Sequence, residues 1–306
     1  MPSVASRVWR AAASVVGARI EYRDPVIVRR KVESRQVRPE RIGPPRRMDR
    51  THNVRLHFRY GWPCYEVTPR SGPAHANIMV LHGGAYVEQI SGMHWRFIRL
   101  LVTRLRAHVW APIYPLAPQG TADIVVPEIA GFTRELVDRC AGETVLIGDS
   151  AGGGLALAAA QHLRAQGGHQ PTRLILISPW LDVTMDNPGI PAVEPLDPEL
   201  SRGALRFAGN LWAGNLDPAD PLASPLNGRM EGLPPCTVFI GSHDVLNPDT
   251  HRFRALAEDA GVDVDFHEGA GQIHVYPLYP IPEGRRAVDH IVDTIRHEGH
   301  RKRPPA

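Results

Sequence analysis

Thr144-Val145-Leu146-Ile147-Gly148-Asp149-Ser150-Ala151-Gly152-Gly153-Gly154-Leu155-Ala156-Leu157 is the stretch on which the reading of this chain turns. An apolar run meets a glycine-flanked serine, and an Ala- and Leu-rich segment follows at once. Gly148-Asp149-Ser150-Ala151-Gly152 satisfies the G-x-S-x-G pattern with a strand before it and a helix after it. Such a turn is so tight that the flanking side chains must be small. It lifts the serine hydroxyl into the open, and the helix N-terminus beneath it favours developing negative charge.

Working outward, the chain alternates. Residues 54–58 alternate as a half-buried strand should, and residues 64–67 read as its partner across a turn at Gly61. Residues 76–81 are continuously apolar, as a strand buried on both faces requires, and end in His82-Gly83-Gly84. Helical periodicity over 95–105, a strand at 108–113, a helix over 124–137 and a strand at 144–147 follow. Then come a small-residue helix at 155–163 and a strand at 174–177. Between 182 and 233 the rhythm breaks into Pro- and Gly-rich chain with one helical stretch near 198–212. Strands at 237–240 and 262–266 and helices at 248–260 and 282–297 complete the pattern. Strand and helix in this order predict a mostly parallel sheet covered on both faces, with the irregular insertion above its C-terminal edge.

A serine hydroxyl needs a base to take its proton. In chain order the acid and base are expected after the nucleophile. Asp244 follows the strand at 237–240, and His274 follows the last strand, in Gly271-Gln272-Ile273-His274. His274 is the expected general base and Asp244 the group that orients it. Asp249 and Asp182 are the rival acids; Asp182 is expected to anchor a loop and Asp149 to brace the turn. His243, His251 and His267 are expected on the surface or in packing. The backbone N–H groups of Gly83, Gly84 and Ala151 are the expected donors to a tetrahedral oxyanion.

Composition narrows the class. With 306 residues, 43% hydrophobic and 22% charged, the chain suits one large globular domain or two small ones. Cys64, Cys140 and Cys236 form no C-x-x-C pair, which argues against a disulfide framework or a cysteine zinc site and fits a reducing, cytoplasmic setting. No metal or organic cofactor is expected. Residues 1–50 hold 13 Lys and Arg against five Asp and Glu, a balance of +8, while the rest of the chain balances at −5. Without aromatic interleaving or a nucleic-acid motif, this arm is expected to be solvated and partly packed on the body. Val4, Val8, Ala11, Val15 and Ala18 recur at helical spacing, and this amphipathic helix is expected to pack on the domain. Membrane-surface binding is the alternative, disfavoured because the apolar face is Ala and Val.

His82-Gly83-Gly84-Ala85, Tyr114-Pro115-Leu116-Ala117-Pro118 and Gly148-Asp149-Ser150-Ala151-Gly152-Gly153 together resemble the hormone-sensitive-lipase family of bacterial esterases, the alpha/beta hydrolase fold-3 group. The resemblance covers about residues 75–280. It implies an α/β-hydrolase fold with an eight-stranded, mostly parallel sheet, helices on both faces, and a small helical cap. That cap would be made from residues 1–50 and an insertion at about 183–233 in a hydrolase domain of 51–306. It implies Ser150 as nucleophile, Asp244 as acid, His274 as base, and a small to medium apolar ester or lactone as substrate. The sequence departs from the family at Ala85, at Val245 after the acid and at Val275-Tyr276 after the histidine, so substrate preference transfers least. An arylformamidase-like amide hydrolase, a membrane-surface lipase, and a non-catalytic binding protein on the same fold are the other readings. The oligomeric state is left open, a dimer included.

Overall fold

The computed structural model describes residues 2–15, 24–38, 40–72, 74, 76–139 and 143–301. Cys140 and Ala18 lie outside them. Eight strands form one sheet: β1 (His52–Arg59), β2 (Trp62–Pro69), β3 (Asn77–Leu81), β4 (His108–Pro112), β5 (Thr144–Asp149), β6 (Arg173–Ile177), β7 (Cys236–Gly241) and β8 (Val264–Gly269). Their order is β1-β2-β4-β3-β5-β6-β7-β8. β1 and β2 form an antiparallel hairpin, β2 joins β4 antiparallel, and β4 through β8 are parallel neighbours.

Nine helices accompany the sheet among the described residues: α1 (Val4–Val15), α2 (Pro25–Val37), α3 (Gly92–Leu105), α4 (Ala122–Arg139), α5 (Ala151–Ala165), α6 (Ile190–Val193), α7 (Arg202–Ala213), α8 (Asn247–Asp259) and α9 (Pro282–Arg301). The alternation of strand side chains divides the interior in two. Leu146, Leu174 and Val238 belong to the core under α4, α5 and α8. Val145, Ile147, Ile175 and Phe239 face the other core, with α3 and α9. Both faces of β5 are buried throughout, which explains its unbroken apolar run.

The expected strands and helices are present with shifted ends, while α2 and α6 were not expected. β8 begins two residues later than expected and runs to Gly269, so His267 stands inside the strand. The helix of the insertion begins at Arg202, leaving residues 197–201 as a turn. Across this insertion α2 packs on α7, with the Arg29 guanidinium 5.3 Å from the Phe207 ring centroid.

One packing expectation is reversed. α1 rests on the domain through its polar side, not its apolar one. The Ser3 backbone N–H and hydroxyl donate to Glu283, the Ser6 hydroxyl donates to Gln272, and Arg10 Nη1 donates to His243 Nδ1. Trp9 leans on Tyr279 with ring centroids 5.1 Å apart. The opposite face carries Val4 and Val8, 66% and 62% exposed. At 100° per residue these valines lie well away from Ser6 and Arg10, so one face cannot both bond to the domain and bury the valines.

Candidate active site

Ser150 is the single residue between the last residue of β5 and the first of α5. Its backbone sits at φ 52° and ψ −121°, a region that non-glycine residues rarely occupy. The turn is fixed by close backbone approach. A Cβ added at Gly148 would lie 2.1 Å from the Gly152 carbonyl oxygen, and one added at Gly152 would lie 2.1 Å from that of Leu81. Neither glycine can be replaced without moving backbone. The Ser150 N–H donates to the Ile177 carbonyl at 2.8 Å, and its carbonyl accepts from Trp180 at 2.9 Å. The turn is thereby tied to the neighbouring strand β6.

Asp244 and His274 meet above the same edge of the sheet. His274 Nδ1 lies 2.9 Å from Asp244 Oδ2, and both side chains are buried. Asp244 Oδ1 also accepts from the Leu246 N–H, which leaves the carboxylate little freedom to turn. A ring that donates Nδ1–H to this carboxylate keeps Nε2 as its basic nitrogen. Ser178, just beyond β6, holds the histidine loop down: its hydroxyl accepts from the Val275 N–H at 2.9 Å, and its own N–H donates to Phe239. The sequence reading gave Ser178 no role, because a serine after a strand carries no pattern of its own.

The loop after β3 departs from expectation. The Gly83 N–H donates to Asp149 Oδ1 at 3.1 Å, and its carbonyl accepts from His82 Nδ1 at 2.8 Å. Gly83 is thus anchored at both ends and its N–H is not available to a substrate. Gly84 at φ 121° and Ala85 at φ 51° follow it, and among the described residues neither N–H is engaged. The loop N–H groups left free to face a substrate are thus those of Gly84 and Ala85, where Gly83 and Gly84 were expected. Burial pulls His82 down to about 4, so the ring is neutral; it stacks on Tyr114 at 4.4 Å. Asp149 braces the turn as expected. Burial works against its charge, but His94, whose Nε2 lies 3.1 Å from Oδ2, holds the carboxyl below the usual range.

The expected rivals lie elsewhere. Asp182 accepts from the Thr184 N–H, the Thr184 hydroxyl and the Ser224 hydroxyl, and so holds the start of the insertion. Asp249 accepts from Asn187. His243 is engaged with Arg10, and His251 faces Glu268 at 3.4 Å.

Two acids that the sequence reading missed approach the pair from the insertion. Asp197 accepts from the Val245, Glu199 and Leu200 N–H groups, and the Glu199 carboxylate accepts from the Tyr279 hydroxyl at 2.9 and 3.0 Å. Burial, then the charge of Asp244, pushes Asp197 up to about 6; burial pushes Glu199 up to about 7. For His274, burial alone would lower the pKa, but Asp244, with Asp197 and Glu199 beyond it, raises it to about 9. A base with its folded pKa raised above the ordinary 6.5 is protonated, and idle, below that value. We therefore expect kcat/KM to climb as pH rises toward 9. Glu199→Gln removes negative charge and should move this limb to lower pH while keeping the Tyr279 hydrogen bond; an unmoved limb would remove Glu199 from the field at His274.

Residues 78–278 match the α/β-hydrolase fold family. The chain is 36% identical over 220 residues to a triacylglycerol lipase of Mycobacterium tuberculosis, a match covering 71% of this chain. An esterase of the bacterial hormone-sensitive-lipase family superimposes with a TM-score of 0.76 at 25% identity, covering 88% of this chain and 95% of that one. The chain belongs to the hormone-sensitive-lipase family of α/β hydrolases. It spans 46% of the mycobacterial lipase's length. It is also 34% identical over 216 residues to an acetyl-hydrolase of Streptomyces hygroscopicus, covering 69% of this chain and 72% of that relative. An esterase/lipase from an uncultured bacterium gives a TM-score of 0.75 at 26% identity, covering 90% and 99%. In this family member the match takes in Ser150, Asp244, His274 and the loop at 82–85, whereas α1 and α2 lie outside it.

Proposed function

We propose that this hydrolase cleaves carboxylic esters through an acyl-enzyme on Ser150, with a small to medium apolar ester or lactone as substrate. The observation that carries the reading is the Ser150 turn between β5 and α5 together with the hydrogen-bonded Asp244–His274 pair above the same edge of the sheet. His274 Nε2 takes the proton as Ser150 Oγ attacks the acyl carbon. The Gly84, Ala85 and Ala151 N–H groups receive the charge that forms on the carbonyl oxygen. Collapse of the tetrahedral intermediate expels the alcohol, protonated by His274, and water then repeats the sequence on the acyl-enzyme. Residues 1–50 and 183–233 would form the cap, a reading supported by α2 on α7 and by Asp197 and Glu199 reaching the pair.

The names of the relatives support an ester over an amide, and a direct comparison decides. The protein is expected to hydrolyse p-nitrophenyl esters, shorter acyl chains fastest, with a fluorophosphonate labelling Ser150. Faster turnover of anilides carrying the same acyl groups would favour the arylformamidase-like reading.

A second reading, a lipase working at a membrane surface, is favoured by the outward valine face of α1 beside the basic arm. α1 is bonded to Gln272 and His243, close in sequence to His274 and Asp244, so a docked helix would bring the site to the lipid. If this is right, the protein co-sediments with phosphatidylglycerol vesicles at low salt, and Val4→Asp with Val8→Asp abolishes it. Wild-type protein left in the supernatant ends this reading.

A further inference from the structure

Asp265, His267 and His290 form a cluster that the hydrolytic machinery does not use. Asp265 and His267 are two residues apart on β8 and so share one face of this edge strand. His290 reaches the same point from α9. Asp265 Oδ1 lies 2.7 Å from His267 Nε2, and Asp265 Oδ2 lies 2.7 Å from His290 Nε2. The three ligand atoms all fall within 4.8 Å of one another.

The two histidines are not held alike. His290 Nε2 makes a hydrogen bond to Asp265. His267 Nε2 is enclosed and has no hydrogen-bond partner among the described residues, because its contact with Oδ1 is not aligned with the ring's N–H direction. An enclosed ring nitrogen against a carboxylate oxygen is costly: its lone pair is repelled there, and a proton on it is poorly aimed. A cation shared by the two groups removes that cost. Both imidazoles are also set in place by one side chain. His267 stacks on Phe239 at 4.8 Å, and His290 meets the same ring edge-on at 6.0 Å.

We propose that Asp265, His267 and His290 bind a divalent first-row cation of the zinc class, which staples the edge strand β8 to α9. Two imidazoles and one carboxylate are a common donor set for such an ion, and a water supplies the fourth position. Tetrahedral ligands at zinc distances stand about 3.3 Å apart. The present separations, 2.7 Å from Asp265 to each histidine and no more than 4.8 Å overall, bracket that value. His267 and His290 line a surface hollow of about 550 Å³. Arg286 also lines this hollow but is partnered by Glu283 at 3.7 Å. The ion's part is structural: among the described residues β8 pairs with β7 on one side only, and it leads directly into the loop that carries His274.

The test uses tag-free full-length protein stripped with a chelator and titrated calorimetrically with zinc chloride. One ion per chain is expected, with a rise in Tm of roughly 4 °C at a hundredfold excess over Kd. His267→Gln and His290→Gln should each weaken binding at least tenfold, while His169→Gln, on the exposed pair with Asp138, leaves it unchanged. Turnover of p-nitrophenyl esters by the two variants should stay at the wild-type level, which separates this site from the hydrolytic one. In the unmutated protein zinc should shield His267 and His290 from diethyl pyrocarbonate, a readout that does not depend on the variants folding. No zinc binding, wild-type affinity in both variants, or modification of both histidines in the presence of zinc would overturn the proposal.

Discussion

Ser150→Ala is expected to lower kcat for a p-nitrophenyl ester by about 10⁵–10⁶-fold while the protein stays folded, as loss of a serine nucleophile does elsewhere. The size follows from what is removed and what remains. In the proposed mechanism the hydroxyl forms the acyl bond, whereas the Gly84, Ala85 and Ala151 N–H groups persist in the variant. A residual rate above that of water, about 10³–10⁴-fold, should therefore survive. Stability should change little, because alanine at φ 52° is strained much as serine is and the backbone bonds to Ile177 and Trp180 are retained. Initial rates alongside a thermal melt check both halves. Turnover near the wild-type level in a folded variant would mean that another residue is the nucleophile.

Asp244→Asn should cost about 10⁴-fold, the loss expected when an orienting carboxylate is replaced by an amide. The amide can present its N–H₂ to His274 Nδ1, which turns the ring to the tautomer whose Nε2 carries the proton and cannot accept one. The imidazolium formed during attack also loses its partner in a buried place. Asp182→Asn is the matched control. Asp182 takes three hydrogen bonds from Thr184 and Ser224, so its substitution should lower Tm while leaving kcat within about tenfold. If Asp182→Asn were the variant that lost activity and Asp244→Asn kept it, the acid would have to be reassigned.

Much of this could be read before any coordinates, for local reasons. The turn around Ser150 needs small residues on both sides and an apolar strand behind it, all within a few positions of the chain. Asp244 and His274 stand just past strands whose hydrophobic runs are clear. What escaped the sequence depended on distant partners. Gly83 and Ala85 cannot be ranked as donors until Asp149, over sixty residues on, is seen to occupy the Gly83 N–H. Asp197 and Glu199 lie in an irregular segment with no period to place them, and Tyr279 and Val245 show where they face. For α1, periodicity defines two faces but not which one turns inward, and four polar bonds decided against the valines. His267 is one of 15 histidines, and nothing in the chain ties it to His290 until β8 and α9 are packed together.

The order β5-β6-β7 has a metric consequence. Adjacent strands are spaced about 4.8 Å apart, so Ser150 beyond β5 and Asp244 beyond β7 are separated by two intervals, roughly 10 Å along the edge. One imidazole and its two hydrogen bonds fill about that span. The pitch of the sheet thus serves as a gauge for proton transfer. Loops at 242–246 and 270–275 can vary in sequence and length so long as they return their side chains to that spacing.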